Sequence, residues 1–132
     1  MSTGFFMLLS AFIIKKDNIQ HKPLYETRWD LKKIHTKERT EEVTTKAFIK
    51  FNKLKQSAGG NGSCNTFGSS VTINGNKMSF SDIFSTKMYC EGVQLTEDKF
   101  FQQLSKVNRF EIKENSLLLL RDADVLLEFQ SE

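Results

Sequence analysis

The chain reads as an α+β domain that is mostly β: an antiparallel, partly open, barrel-like sheet with one main helix packed on it. Three observations predict this. Apolar residues alternate with period two over Thr44–Phe51, with Ala47, Ile49 and Phe51 on one face. Asn74-Gly75-Asn76 stands between Val71/Ile73 and Met78/Phe80, the arrangement of a tight hairpin. A single segment, Leu95–Val107, carries helical spacing.

In chain order, Tyr25–Ile34 is the first strand, with Trp29 and Leu31 on one face, and the charged stretch Thr36–Glu42 is a loop. The Gly-rich segment Ser57–Ser70 reads as a turn-rich connection, because glycine weakens strand interiors. In the helix, Thr96 is the expected N-cap, Glu97 and Asp98 suit the dipole of the first turn, and Leu95 and Phe100 stand at staple positions. Phe100, Leu104 and Val107 form the buried stripe, Asn108 ends the helix, and Lys99, Gln102, Gln103 and Lys106 face water. The tail returns to sheet: Phe110 and Ile112 alternate, Glu114-Asn115 turns, Leu117–Leu120 is buried, Asp122-Ala123-Asp124 turns and Val125–Phe129 closes. The count is about seven strands and one helix around one core, in keeping with 132 residues and 12 Phe.

Charge narrows the partners little. Residues 15–55 hold 12 basic and 6 acidic side chains, while residues 56–132 hold 7 and 10. No Arg-rich cluster or nucleic-acid motif goes with the basic half, so a solvated strand face is the expectation and no nucleic acid is called for. The apolar run Gly4–Ile14 is too short to span a bilayer. We read residues 1–24 as this run plus a connector. The run is an export signal or its remnant that could also hold the chain at a membrane surface; a buried strand or a misassigned start are the competing readings.

Catalytic constellations do not assemble from the residue types. The glycines lack the spacing and the Lys of a phosphate loop, and no cofactor is called for. His21, His35, Cys64 and Cys90 equal a zinc site in number but not in spacing, so no metal is called for. A Cys64 nucleophile with His35 as base is the weakest functional reading, since it needs a free thiolate and an oxyanion hole. Asp122 and Asp124 are ordinary turn formers, and the acceptor pattern Asn61-Gly62-Ser63 is too short to count.

The order of motifs goes further. Trp29-Asp-Leu31 is followed by Gly62-Ser-Cys64-Asn65-Thr-Phe67-Gly68, by Thr86-Lys-Met88-Tyr-Cys90, and by Phe100-Phe-Gln-Gln-Leu104. Over residues 25–132 this resembles the META domain family, the group of HslJ-like, heat-shock-associated envelope proteins. One departure is Ser63, where the family usually has Gly. The resemblance implies a partly open barrel with a packed helix and no established enzymatic activity. It also implies a bacterial, exported or envelope-associated, often lipoprotein-like setting with stress associations. It marks Trp29, Gly62, Cys64, Asn65, Gly68, Thr86, Met88, Cys90, Phe100 and Leu104 as a signature of fold. Gly62 and Gly68 are expected to permit turns closed to other residues, and Asn65 to bond neighbouring backbone. Cys64 and Cys90 both lie in shared motifs. In an oxidising compartment they are the two partners for a disulfide; in the cytosol they are two small buried thiols. The functional expectation is a binding or interaction module with a protein partner. The alternative is a carrier holding an acyl-type ligand in a Phe-lined barrel.

Overall fold

The computed structural model describes residues 22–132. The run Gly4–Ile14 and the connector up to His21 lie outside the described residues, and with them the export-signal and membrane-surface readings. No helix among the described residues is long and apolar enough to cross a membrane.

Nine strands are described: β1 Trp29–His35, β2 Thr40–Glu42, β3 Phe48–Asn52, β4 Ser57–Asn61, β5 Thr66–Asn74, β6 Lys77–Ser85, β7 Arg109–Lys113, β8 Ser116–Arg121 and β9 Asp124–Gln130. One helix, α1 Gln94–Leu104, connects β6 to β7. The sheet order is β2-β1-β3-β4-β5-β6-β7-β8-β9, and β9 also pairs with β1, so the strands run round into a ring. It is not a regular barrel. The short β2 pairs with the end of β1 beyond β3, and the β6–β7 seam holds one register pair, Lys77↔Arg109.

Period-two alternation places the core where the sequence predicts. Trp29, Leu31, Ala47, Ile49 and Phe51 all point inward. A bulge against β9 between Leu31 and Lys33 resets the alternation, which turns Ile34 inward and leaves Lys33 outside. The Trp29 indole N–H donates to the Leu24 carbonyl at 3.1 Å, so its polar tip is satisfied inside the core. The hairpin forms as expected: Asn74 pairs with Lys77, and Gly75 takes φ +64°, a conformation open to glycine at no steric cost. In the tail, Leu117, Leu119, Leu127 and Phe129 are fully buried.

Four expectations are corrected. Thr40–Glu42 is a strand, not a loop; three charged or polar residues show no apolar period, and only pairing with β1 makes them extended. The Gly-rich segment is not mainly a turn. Ser57–Asn61 is a full strand between β3 and β5, and a Cβ on Gly60 would run into the Phe48 carbonyl oxygen. Glycine is used here for close approach of backbones. Gly60→Ala is therefore expected to lower the melting temperature, and Lys50→Ala, on the exposed face of β3, to leave it unchanged.

The helix also starts one residue before the expected staple. Val93 is the N-cap with no side-chain cap bond, and Thr96 lies within the helix. Leu95 is 73% exposed while Phe100 is fully buried, so no staple forms. The helix ends at Leu104 rather than Asn108. Its stripe is as predicted: Phe100, Leu104 and the following Val107 are buried, with Phe100 edge-on to Phe67 at 5.5 Å. Gln103 is the fourth correction. It is buried, not solvated, and its amide donates to the His35 carbonyl. Lys99 bends to Glu41 on β2 at 2.5 Å and holds that carboxyl below its usual range, an effect mainly of the Lys99 hydrogen bond.

The ring interior is filled by Trp29, Phe100, Phe129, Leu31, Ile49, Met78, Leu117, Leu119 and Leu127, all below 2% exposed. Phe67, Phe100, Phe101 and Phe129 form a chain of ring contacts at 5.2–6.0 Å. The aromatic side chains therefore pack against each other through the space that an acyl ligand would need.

Candidate functional site

Cys64, Asn65, Thr86, Met88 and Cys90 of the signature converge on one site. Asn65 sits in the turn between β4 and β5, Thr86–Val93 forms the loop from β6 to α1, and Glu97 lies in the first turn of α1. The Asn65 side chain joins all three. Its Oδ1 accepts from the Thr86 hydroxyl and from the Met88 backbone N–H, each at 2.8 Å. Its Nδ2 donates to the Met88 carbonyl at 3.0 Å and to Glu97 Oε2 at 2.6 Å. Glu97 Oε1 accepts from the backbone N–H groups of Cys64 at 3.0 Å and Asn65 at 2.7 Å. Cys64 and Cys90 are disulfide-bonded with Cα atoms 5.8 Å apart, tying the same turn to the same loop. The pairing is therefore the bridged one of the two readings.

Glu97 is 2% exposed. Burial opposes its charge, but the donors from Asn65 backbone and side chain, from Cys64 and from Gln94 outweigh it and hold the carboxyl below its usual range. A lowered folded-state value means the stabilisation is present above the unfolded value near 4.5 and is lost as pH falls through the lower folded value. Wild type is thus expected to lose stability on acidification below pH ~4.5, and Glu97→Gln to show a shallower acid limb in denaturant titrations across that range.

Glycine and serine complete the turn. Gly62 donates its N–H to the Asn65 carbonyl, and a Cβ there would meet Phe101 Cζ at 2.5 Å and Glu97 Oε1 at 2.8 Å. Gly68 lies under the Phe84 ring. Positive φ is found in neither; lack of space, not turn freedom, is what calls for glycine at both, which corrects the expectation. The strained position is Ser63, at φ 130°. It is held by its N–H on Asn61 Oδ1 and by a hydroxyl contact with Thr45, both at 2.8 Å.

Not all signature residues meet here. Trp29 and Leu104 belong to the core, and Phe100 reaches the site only through its contacts with Phe67 and Phe101. Met88 contributes backbone atoms, while its side chain is 59% exposed. Glu97, which holds the site together, was expected only to suit the helix dipole. A signal existed: Glu97, Phe100 and Leu104 share i, i+3, i+7 spacing, so the carboxylate stands on the buried stripe.

The chemistry open to this arrangement is limited. Both sulfurs are in the disulfide, so Cys64 offers no thiolate, and the Cys-dependent hydrolase reading falls. The same bond removes both cysteines as zinc ligands. His35 is engaged elsewhere, at 2.7 Å from the Thr40 hydroxyl and 2.5 Å from Glu128. It borders an open cleft of about 770 Å³ beside the helix C-terminus, whose lining mixes Lys37, Lys106 and Arg121 with Glu38 and Asp124. No group of three or more His, Cys, Asp or Glu among the described residues is placed to hold a metal ion.

Ring, closing helix and Asn65–Glu97 knot together define a class of small, mostly β domain with a signature of structure. The chain belongs to the META domain family, whose profile matches residues 22–132. Its fold is similar to an NMR structure of a protein from Burkholderia xenovorans, with TM-score 0.69, 19% identity and 83% of each chain covered. A second NMR structure matches with TM-score 0.58 and 20% identity, over 86% of this chain and 92% of the other. A crystal structure of a DUF4847 family protein from Bacteroides vulgatus matches with TM-score 0.56 and 14% identity, over 81% and 93%. At these identities the likeness shows the fold alone. No curated protein matches the chain.

Proposed function

We propose that this META domain is a non-enzymatic interaction module, envelope- or stress-associated and exported in the oxidised form, whose partner is another protein. The observation that carries this reading is the loop between β6 and α1. Disulfide and Asn65 knot pin its backbone, yet Met88 is 59% exposed, Tyr89 77% and the nearby Leu95 73%. Large apolar side chains held out on a fixed loop suit recognition better than catalysis. The buried carboxylate beside them is saturated with donors and serves the loop's shape. The disulfide supports an oxidising compartment. The packed ring interior speaks against the acyl carrier.

Two measurements test the reading. In fractionated cells the protein is expected with the envelope and with no free thiol; recovery in the cytosol as a dithiol would overturn the export part. A photo-crosslinking side chain at Tyr89 is expected to give a discrete adduct with an envelope protein. The same group at Leu54, 97% exposed on the β3–β4 turn, is expected to give none. Equal labelling from both sites, or none from either, would sink the interaction part.

A further inference from the structure

The ring has a gap with polypeptide chemistry. Strand β6 is nine residues long, yet on its β7 side only Lys77 has a register partner. β6 and β7 meet at their first residues and run apart, so among the described residues no strand follows β6 from Ser79 to Ser85 on that side. Across the seam the Met78 N–H donates to the Asn108 carbonyl. Strand alternation then turns the Phe80 N–H and C=O to the same open side. The unpaired N–H and C=O of Phe80, next to the bulge at Asp82, are complementary to one kind of partner, an extended backbone.

Two side chains on this strand indicate what that backbone carries. Phe84 lies across Gly68 with 68% of its surface exposed. Asp82 is exposed, forms no ion pair among the described residues, and stands at φ 55° in the bulge of the β5–β6 register. A second copy laid antiparallel on this edge about its middle would set Asp82 against Asp82, and the bulge further spoils self-pairing. A foreign strand with a cation opposite Asp82 and an apolar residue beside Phe84 escapes the charge repulsion and has one bulge to accommodate instead of two.

We infer that the open edge of β6 binds an extended, basic and apolar peptide segment of a partner protein by strand addition. The inference rests on the interaction-module reading but uses a different surface from the Tyr89 loop, so either can fail while the other stands.

The test uses the full chain and two short synthetic peptides, one alternating lysine and valine, the other glutamate and valine. Amide exchange and shift perturbation are followed by NMR. Addition of the lysine peptide is expected to protect the Phe80 amide and to perturb β6. The preference over the glutamate peptide should be about threefold, the size of one cross-strand charge pair. Asp82→Asn, which keeps a residue tolerant of positive φ, is expected to abolish that preference while leaving the melting temperature unchanged. The inference is overturned by perturbations that cluster away from β6, or by a preference that survives Asp82→Asn. It is also overturned if the Phe80 amide is already protected before peptide is added, which would mean that the chain's own N-terminal segment fills the edge. Protection that rises with protein concentration alone would assign the edge to self-association and equally overturn it.

Discussion

Replacing Trp29 by alanine is expected to remove about 3–5 kcal/mol of folding stability, a large share of the roughly 5–15 kcal/mol a domain of this kind possesses. The side chain is fully buried and begins the strand that β3, β9 and, further along, β2 all pair with. Its loss opens a cavity where the ring closes and leaves the Leu24 carbonyl without its donor. Trp29→Phe keeps most of the volume and loses the hydrogen bond, so it is expected to cost less, about 1–2 kcal/mol. Urea titrations of the three proteins measure the ordering. An alanine variant as stable as wild type would show that the closure of the ring does not depend on this side chain.

Asn65→Ala is expected to cost about 3 kcal/mol or more. The substitution strips Nδ2–H from a buried carboxylate and leaves the Met88 N–H and C=O and the Thr86 hydroxyl without their Asn65 partners. The disulfide spans the same gap with a separation of 26 residues. Closing a loop of that length is worth about 3.5 kcal/mol at most on the chain-entropy estimate. Knot and disulfide act on one connection, so their effects should couple. Cys64→Ala with Cys90→Ala in the Asn65→Ala background should cost more than the sum of the separate losses, since each tether holds the loop when the other is gone. Additive losses in a double-mutant cycle would show that the two tethers are independent. Amide exchange at Met88 and Tyr89 adds a local readout, expected to speed up most when both are removed.

Much of the fold follows from residue patterns that act over a few positions. Alternation over Ala47–Phe51 and over Val71–Phe80 specifies strand faces, and Asn74-Gly75 specifies the hairpin, because side-chain direction and turn conformation are local properties. The helical stripe Phe100, Leu104, Val107 was legible for the same reason, even though the cap was misplaced by three residues. The misplacement has a physical cause. Thr96 and its neighbours satisfy a local capping rule, but the buried bonds of Glu97 to Asn65 and Cys64 draw one more turn into the helix. Glycine was the least legible residue type. At Gly60 and Gly62 what matters is a neighbour from another segment, Phe48 in one case and Phe101 with Glu97 in the other.

By itself, the sequence determined the class of fold, most of the apolar residues that face inward, the hairpin, the helix, and a family signature running from Trp29 to Leu104. The tertiary structure alone decided that β9 returns to β1, that β4 is a strand, that Cys64 reaches Cys90, and that Glu97 accepts from a turn 32 residues away. Periodicity encodes how each segment presents its faces to a core. Which segments meet depends on the free energy of the assembled ring, where a polar side chain such as Asn65 or Glu97 is stable only if distant donors and acceptors arrive together.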